Sequence, residues 1–214
     1  MLAVSKGATE DTRYLLSRGY SRESVVRLVG DKYVLGKPQR LLLFRCAYPP
    51  DMAKAHWAKL VPPGSLAGAK LAVDGYNVLW TIDSTLRGRP IFQSDDGFIR
   101  DISIEKGEPT VEALSEAANL AVSAIAKLKP GFAHFLFDRP ISRSGEVSKL
   151  VNELLEAELV NGVASTSNSV DSDVVKIGDI VATSDSVIVE RASQVFDLGG
   201  YVIRRCLQIK PTKI

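Results

Sequence analysis

Residues 70–80 read KLAVDGYNVLW, and this stretch decides the fold of the larger part of the chain. We interpret it as an apolar strand that ends in a polar turn, because a short apolar run is typical of a strand buried on both faces. Asp74 is the first acidic residue to interrupt the apolar run. A strand buried on both faces needs parallel neighbours, which the following sequence supplies.

Strand patterns alternate with helical patterns from residue 110 onward. Helices are predicted at residues 110–128, 144–159, 172–178 and 186–193, and strands at 133–138, 162–167, 179–185 and 201–205. This alternation predicts a mainly parallel sheet with helices on both faces. We therefore predict a three-layer α/β domain over residues 67–214.

The first part of the chain has a different pattern. Thr9 and Ser21 are predicted N-caps of two short helices, and Pro38 suits the first turn of a third. We interpret residues 1–48 as a small all-α module that resembles a helix-turn-helix unit. Proline pairs break the pattern on either side of residues 51–61, so that residues 49–66 are predicted to form a linker with one short helix.

Composition limits the class of protein. Apolar residues make up 45% and charged residues 24% of the chain, as expected for a packed globular protein. The two cysteines, Cys46 and Cys206, form no CxxC pair, which argues against a thiolate zinc site or a redox motif. No apolar run approaches the roughly 18 residues that a membrane span needs. We expect a cytoplasmic protein without a membrane partner, and a homodimer remains open.

The charge is unevenly distributed. Residues 1–65 carry a net charge of +6 and residues 66–214 a net charge of −4, which together give the overall +2. A basic module joined to an acidic domain is a common arrangement in nucleic-acid enzymes, because the basic part attracts phosphates. An ordinary solvated surface would explain the same asymmetry.

Three of the predicted strands end in aspartate, at Asp74, Asp138 and Asp185. The carboxyl ends of parallel strands meet at one edge of the sheet, where α/β proteins bind their ligands. Converging carboxylates repel one another, and a hard divalent cation removes that cost. The pattern therefore predicts a site for Mg²⁺ or Mn²⁺. The alternative is that these aspartates cap helices or pair with arginines.

Two stretches carry a family resemblance. LAVDGYNVL at residues 71–79 and VDSDVVKIGDIVATSDSVI at residues 170–188 resemble segments of the PIN and NYN-type nucleases. The resemblance covers most of residues 70–203 and implies a PIN-like domain. It also implies site residues: Asp74, Asp173 and Asp185 as metal ligands, Asn77 as the residue that positions the first loop or a ligand water, and Asp138 as a member by position.

The sequence departs from that pattern in two places. The acid expected on the helix after the first crossover has only Glu112 and Glu116 as candidates, in an uncertain register. The segment of the last ligand strand offers one acid, Asp185, where NYN enzymes often have several. Asp171 competes with Asp173 for the ligand role on the intervening helix.

The whole chain also resembles a family of uncharacterised two-part archaeal proteins, through YLLSRGYSRESVVRLVGDKYVL at residues 14–35 and the later motifs DGYNVL, DDGFIRD and DRPISRSG. This resemblance draws attention to two predicted loops. We expect residues 81–103 to form a long loop over the site, and residues 139–144 to bind phosphate at a helix N-terminus. The candidate substrate-binding residues are Asp96, Arg100 and Asp101 in the first loop, and Arg139, Ser142, Arg143 and Ser144 in the second. Turn and capping chemistry would explain both loops equally well.

These observations lead to a functional hypothesis with two rivals. The hypothesis is a divalent-metal-dependent nuclease, a ribonuclease that hydrolyses phosphodiesters, with RNA as its partner. One rival is a catalytically inactive PIN-like scaffold that binds RNA or protein. The other is a phosphatase of the haloacid-dehalogenase type, which needs Asp-x-Asp after the first strand, whereas Asp74 is followed by Gly75 and Tyr76.

Overall fold

The computed structural model describes residues 2–102 and 110–214. The first of its two parts is an all-helical module, as predicted. Its helices are α1 (Lys6–Ser17), α2 (Arg22–Lys32), α3 (Lys37–Cys46) and α4 (Pro50–Lys59). Ser21 caps α2 and Pro38 lies in the first turn of α3, as predicted, whereas α1 begins earlier than expected and is capped by Ser5.

The second part is an α/β domain whose central sheet has five parallel strands, in the order β5-β4-β1-β6-β7. The strands of this sheet are β1 (Lys70–Asp74), β4 (Phe132–Asp138), β5 (Gly162–Ser167), β6 (Ile180–Ala182) and β7 (Val195–Phe196). The helices that connect them are α5 (Gly75–Leu86), α6 (Val111–Leu128), α7 (Ser144–Ala157), α8 (Val170–Ile177), α9 (Ser186–Arg191) and α10 (Leu198–Tyr201). The predicted α/β class with a mainly parallel sheet is therefore confirmed.

Helices cover both faces of the sheet, and the side chains of β1 alternate between the two apolar cores that these helices form with the sheet. Leu71 and Val73 pack against a core shared with α5, α6 and α7, whereas Ala72 packs against a second core shared with α8 and α9. All three side chains are fully buried. This alternation fixes the register of β1 and places Asp74 at the edge of the sheet.

A small second sheet joins the two parts. Its strands are β2 (Ile91–Gln93), β3 (Ile99–Asp101) and β8 (Thr212–Lys213), in the order β3-β2-β8. Phe92 of β2 packs in one apolar cluster with Leu42 and Cys46 of α3, and Ile214 packs against the same cluster. The helical module and the α/β domain therefore share a core through this sheet.

Several sequence predictions were wrong in detail. The polar turn predicted after the first strand is instead the start of α5, which begins at Gly75. The predicted long loop at residues 81–103 contains the end of α5 and the β2–β3 hairpin, while its last residue, Ser103, lies outside the described residues. The predicted strand at residues 201–205 is instead the end of α10 and a short π-helix, Val202–Cys206.

Among residues 2–102 and 110–214, no helix is both long enough and apolar enough to cross a membrane.

Candidate active site at the carboxyl edge of the sheet

The order of the strands creates a crevice at one position along the sheet. The chain passes from β1 outward through β4 to β5, and then returns to β6 and β7 on the other side of β1. The direction of winding thus reverses between β1 and β6. Open α/β sheets bind their ligands beyond the carboxyl ends of the strands at such a switch point.

The three aspartates lie at or just beyond the ends of three adjacent strands. Asp74 is the last residue of β1, Asp138 is the last residue of β4, and Asp185 lies in the loop that follows β6. The predicted convergence of these aspartates on one sheet edge is therefore found in the structure. Asp185 lies three residues beyond the end of β6, as the N-cap of α9, and not at the end of the strand itself. Its carboxylate Oδ1 accepts the backbone N–H of Val187 at 2.8 Å, while the residue remains exposed.

Asp74 is the most perturbed carboxyl group of this edge. Its pKa is raised to about 7, chiefly by burial and also by the charges of Asp185 and Asp138, while the hydrogen bonds from Thr183 and Asn77 act in the opposite direction. Thr183 donates to Oδ2 of Asp74 at 2.9 Å, and the backbone N–H of Asn77 donates to Oδ1 at 3.4 Å. A buried carboxyl group with a strongly raised pKa beside other carboxylates is typical of functional sites.

Thr183 and Asn77 hold the loop between β6 and α9 against Asp74. The hydroxyl of Thr183, which donates to Asp74, also accepts the backbone N–H of Asp185 at 3.1 Å. The side-chain oxygen of Asn77 accepts the backbone N–H of Ser184 at 2.8 Å and its hydroxyl at 3.0 Å. Asn77 therefore positions the loop that carries Asp185. Sequence analysis missed Thr183, although its place directly after a strand and two residues before Asp185 was a usable signal.

Asp138 lies beside Tyr76 on the other side of Asp74. Burial and the charge of Asp171 raise the pKa of Asp138. The hydroxyl of Tyr76 is buried and has no hydrogen-bond partner among the described protein atoms, and its pKa is raised to about 12 by burial and, to a smaller extent, by the charge of Asp138. An unpaired buried hydroxyl costs free energy unless a water or a ligand satisfies it.

Asp173 lies apart from this group. Its Oδ2 accepts the hydroxyl of Ser167 at 2.6 Å, at the end of the edge strand β5. It lines a polar surface groove of about 550 Å³ with residues of β5 and α8, whereas Asp185 lines a different cavity. The structure therefore does not bring Asp173 and Asp185 into one cavity.

The predicted phosphate loop at residues 139–144 connects the end of β4 to the start of α7. Arg139 and Ser142 are exposed at the carboxyl end of β4, and Arg143 bonds to Glu146. Ser144 is buried and donates to the backbone oxygen of Arg139 at 3.4 Å. Ser144 is the first residue of α7, and no side-chain hydrogen bond caps this helix.

Asp96, Arg100 and Asp101 are buried at the boundary with the helical module. Arg100 is 6% exposed and donates two hydrogen bonds to Asp96, which is fully buried and also bonds to His56 of α4 at 2.9 Å. Burial alone would raise the pKa of Asp96, but the bond from His56 and the charge of Arg100 outweigh it and lower the pKa. Asp101 bonds to Arg45 of α3.

Arg100 connects this buried network to the candidate site. Its Nε donates to the backbone oxygen of Ser184 at 2.7 Å, one residue before Asp185. The helical module thus supports the Asp185 loop through His56, Asp96 and Arg100. Nothing in the sequence placed His56 beside Asp96, since 40 positions separate them.

A cleft of about 480 Å³ opens beside Asp185. The helical module lines it with Arg22, Glu23, Phe44, Arg45 and Tyr48, and the α/β domain lines it with Asn77, Arg100, Asp101, the loop from Ser184 to Val187, and Glu190. Arg22 is held in place by two hydrogen bonds to backbone oxygens of α3 and its end, and its guanidinium lies 4.5 Å from the ring centre of Tyr48. The candidate site therefore has walls from both parts of the chain.

The described residues contain no group of three or more His, Cys, Asp or Glu side chains close enough to hold a metal ion. Asp74 and Asp185 are the pair of acids best placed for a cation, because Thr183 links the carboxylate of Asp74 to the backbone N–H of Asp185. Mg²⁺ is commonly held by one or two carboxylates, with waters and substrate phosphates as the remaining ligands. A pair is thus a sufficient protein contribution for that ion.

The fold and the site define a class of protein: a parallel α/β domain with acidic residues at the switch point of its sheet, and with a helical module that lines one side of the cleft beside them. The chain belongs to the family described as "Domain of unknown function (DUF5616)", whose model matches residues 63–201. A second family model, "Protein of unknown function (DUF434)", matches residues 6–59. The two matches adjoin at the end of α4.

One relative matches along most of both chains. It is the "Uncharacterized protein MJ0935" of Methanocaldococcus jannaschii, which is 30% identical over 193 residues, or 89% of this chain and 92% of the relative. No solved structure matches the chain.

Proposed function

We propose that the α/β domain is a PIN-like, divalent-metal-dependent nuclease that hydrolyses phosphodiester bonds, with RNA as its substrate. The observation that supports it is the raised pKa of Asp74, which is buried beside Asp185 and Asp138 at the switch point of the sheet. Two carboxylates that repel each other at a ligand-binding edge are stabilised by a bound cation.

Asp74 and Asp185 would hold Mg²⁺ or Mn²⁺, with Asp138 on the far side of Asp74. The ion would supply a water of lowered pKa and stabilise charge on the phosphoryl oxygens. Thr183 links the carboxylate of Asp74 to the backbone of Asp185, and Asn77 and Arg100 fix the loop that carries Asp185. Arg22 faces the cleft with two of its guanidinium nitrogens outside the hydrogen bonds that hold it, so that it is suited to a phosphate group.

Calorimetric binding of Mn²⁺ tests the proposal, with wild type, Asp185→Asn and Asp179→Asn. Asp179 is a matched control because it lies at the opposite edge of the same sheet, where its carboxylate accepts the backbone N–H of Lys70. We expect wild type and Asp179→Asn to bind alike, and Asp185→Asn to lose at least tenfold in affinity. RNA cleavage should need Mn²⁺, stop in EDTA and be lost in Asp185→Asn. Equal cleavage by Asp185→Asn and wild type would contradict the assignment.

A non-cleaving PIN-like scaffold is the second candidate. It is favoured by the lack of a three-ligand acidic group among the described residues and by the separation of Asp173 from Asp185. It predicts RNA binding that is the same in EDTA and in Mn²⁺, with the RNA intact after incubation. A cleavage product that appears only with metal rules it out.

A further inference from the structure

A second groove, at the end of β7, combines an exposed tryptophan with two arginines. It has a volume of about 360 Å³. We call it the Trp57 groove, and the residues of its lining that matter for binding are Trp57 of α4, Asp197, Arg204 and Arg205. Because β7 pairs directly with β6, the groove lies one strand away from the Asp185 loop.

Trp57 is held in place but remains open to solvent. Its ring lies against Gly97, where a Cβ atom would overlap the ring, so that only glycine permits this contact. Gly97 also has a φ of +86°, which glycine adopts without strain. The indole is nevertheless 54% exposed. A large aromatic side chain fixed on one side and exposed on the other is a suitable surface for a stacked base.

The arginines of the groove are free of ion pairs with the part of the chain that the structure describes. Both Arg204 and Arg205 are exposed on the π-helix Val202–Cys206. Asp197, the acid that lines the groove, is buried and already accepts the backbone N–H groups of Ile99 and Gly200. Arg204 and Arg205 therefore present charges that no carboxylate of the described chain neutralises by direct contact.

The positive charge continues beyond the groove. Arg204 also lines a neighbouring cavity of about 380 Å³, together with Lys210 and Lys213. The segment 198–214 contains four basic residues and no acidic one. In the helical module, by contrast, Arg13, Lys32 and Arg40 are paired with aspartates. The end of β7 therefore carries positive charge without direct ion pairs to described residues, outside the module that the sequence predicts to be the basic part.

We propose that the Trp57 groove binds single-stranded nucleic acid, with a base stacked on Trp57 and the phosphates on Arg204 and Arg205, running toward Lys210 and Lys213. Stacking on an aromatic ring beside a basic track is how proteins hold unpaired strands without reading their sequence. This binding needs neither the carboxylates nor a metal ion, so it goes beyond the proposed nuclease activity.

The test is the affinity of a short fluorescein-labelled oligouridylate, measured by anisotropy in EDTA at several salt concentrations. EDTA removes any contribution of metal and of cleavage, so failure of the nuclease proposal leaves this test unaffected. We expect Arg204→Gln/Arg205→Gln to weaken binding at least tenfold and to lower the salt slope by about 1.4, at roughly 0.7 for each lost phosphate contact. The matched control is Lys127→Gln/Lys149→Gln, which removes the same charge from exposed positions on α6 and α7. This control should bind like wild type.

The stacking contact has its own readout, because the chain has only two tryptophans and Trp80 is stacked on Tyr76. Unlabelled oligouridylate should quench wild-type tryptophan emission. Trp57→Phe should lose the quenching but keep most of the affinity, whereas Trp57→Leu should bind roughly tenfold more weakly with an unchanged salt slope.

Three results would overturn the proposal. The first is a wild-type protein that does not bind the oligonucleotide, and the second is an arginine double variant that binds no more weakly than the lysine control. The third is displacement by polyglutamate as effective as displacement by unlabelled oligonucleotide, with Trp57→Leu unaffected, which would indicate an acidic protein partner.

Discussion

Thr183 shows how one hydroxyl organises the candidate site. It donates to the carboxylate of Asp74 and accepts the backbone N–H of Asp185, so that one small side chain links Asp74 of β1 to the loop that carries Asp185. The hydrogen bond to Asp74 favours the ionised carboxylate, while burial and the neighbouring charges favour the protonated form. The balance leaves Asp74 with a pKa near the physiological range.

This balance predicts how the stability of the metal-free protein depends on pH. The pKa of Asp74 is raised in the folded state to about 7, so the folded protein holds this proton more tightly than the unfolded chain does. The associated stability is fully present below about pH 4 and is lost as pH rises through 7, by at most about 4 kcal/mol. Asp74→Asn should therefore be more stable than wild type at pH 8 in EDTA, as measured by urea unfolding, and less different at pH 5. Asp179→Asn is the control, and its difference in stability from wild type should not change in this way with pH. Equal pH profiles of stability for wild type and Asp74→Asn would contradict the prediction.

Among residues, sequence analysis located Asp74, Asn77, Asp138 and Asp185 because each follows an apolar strand pattern or belongs to the DGYN motif. It could not show that Asp173 lies away from Asp185, since that depends on the register of α8 and on a hydrogen bond to Ser167. It also could not assign Asp96 and Arg100 to a buried network, because their partner His56 comes from another part of the chain.

At the scale of elements, the close contact between β1, α5 and β4 depends on Gly75. It is the first residue of α5, directly after Asp74. A Cβ atom at this position would overlap the ring of Phe137, which is fully buried in β4. The helix can therefore start directly behind the strand and carry Asn77 toward the β6–α9 loop.

Gly75→Ala is accordingly expected to lower the free energy of unfolding by about 1–3 kcal/mol, because neither the helix start nor the Phe137 ring has room to move. Gly145→Ala is the matched control, since Gly145 lies in the first turn of α7 and an added Cβ atom there would meet nothing within 4 Å. This control should be neutral or slightly stabilising, as alanine favours a helix over glycine. Urea unfolding measures both, and equal stability of the two variants would refute the packing argument.

The elements were predicted best where a pattern was long or bounded by a cap. The helix at residues 110–128 is found at Val111–Leu128 with Thr110 as its cap, and the strand at residues 162–167 has the predicted bounds. The first strand ends at Asp74 as predicted, but the polar turn expected after it is the start of α5. Residues 201–205 were assigned to a strand because a short buried helical segment shows the same continuous apolar run as a buried strand, and Val202 and Ile203 are buried within a short π-helix.

At the scale of the whole molecule, the two parts are joined through pairs of charged groups, of which His56, Asp96 and Asp101 are buried and Arg13, Asp95 and Arg45 are partly buried. Arg13 pairs with Asp95, Arg45 with Asp101 and His56 with Asp96, each pair crossing from the helical module to residues 95–101. A buried charge that loses its partner is strongly destabilising. The division of the sequence into a helical and an α/β pattern gave no sign of these contacts.

A fragment of residues 63–214 should therefore fold poorly by itself. We expect a broad thermal transition or aggregation, in place of the cooperative transition of the full chain, because Asp96, Arg100 and the apolar surface of β2 lose their cover. Circular dichroism and size-exclusion chromatography measure this, and adding a separate fragment of residues 2–62 should restore a sharper transition. A fragment that melts cooperatively at the temperature of the full chain would show that the α/β domain is independent.

The pairing of β8 with β2 has a consequence for the order of events during folding. Phe92 and Thr212 face each other across a sequence separation of 120 positions, and Ile214 packs against the clusters of the helical module. Contacts between such distant positions slow folding, because a long loop must close before they contribute. As the chain leaves the ribosome, the helices of the first 60 residues are made early, yet they must wait for residues 212–214 before their shared core is complete. Newly made chains should therefore expose this apolar surface until synthesis has passed residue 214, and they would depend on chaperones during that interval.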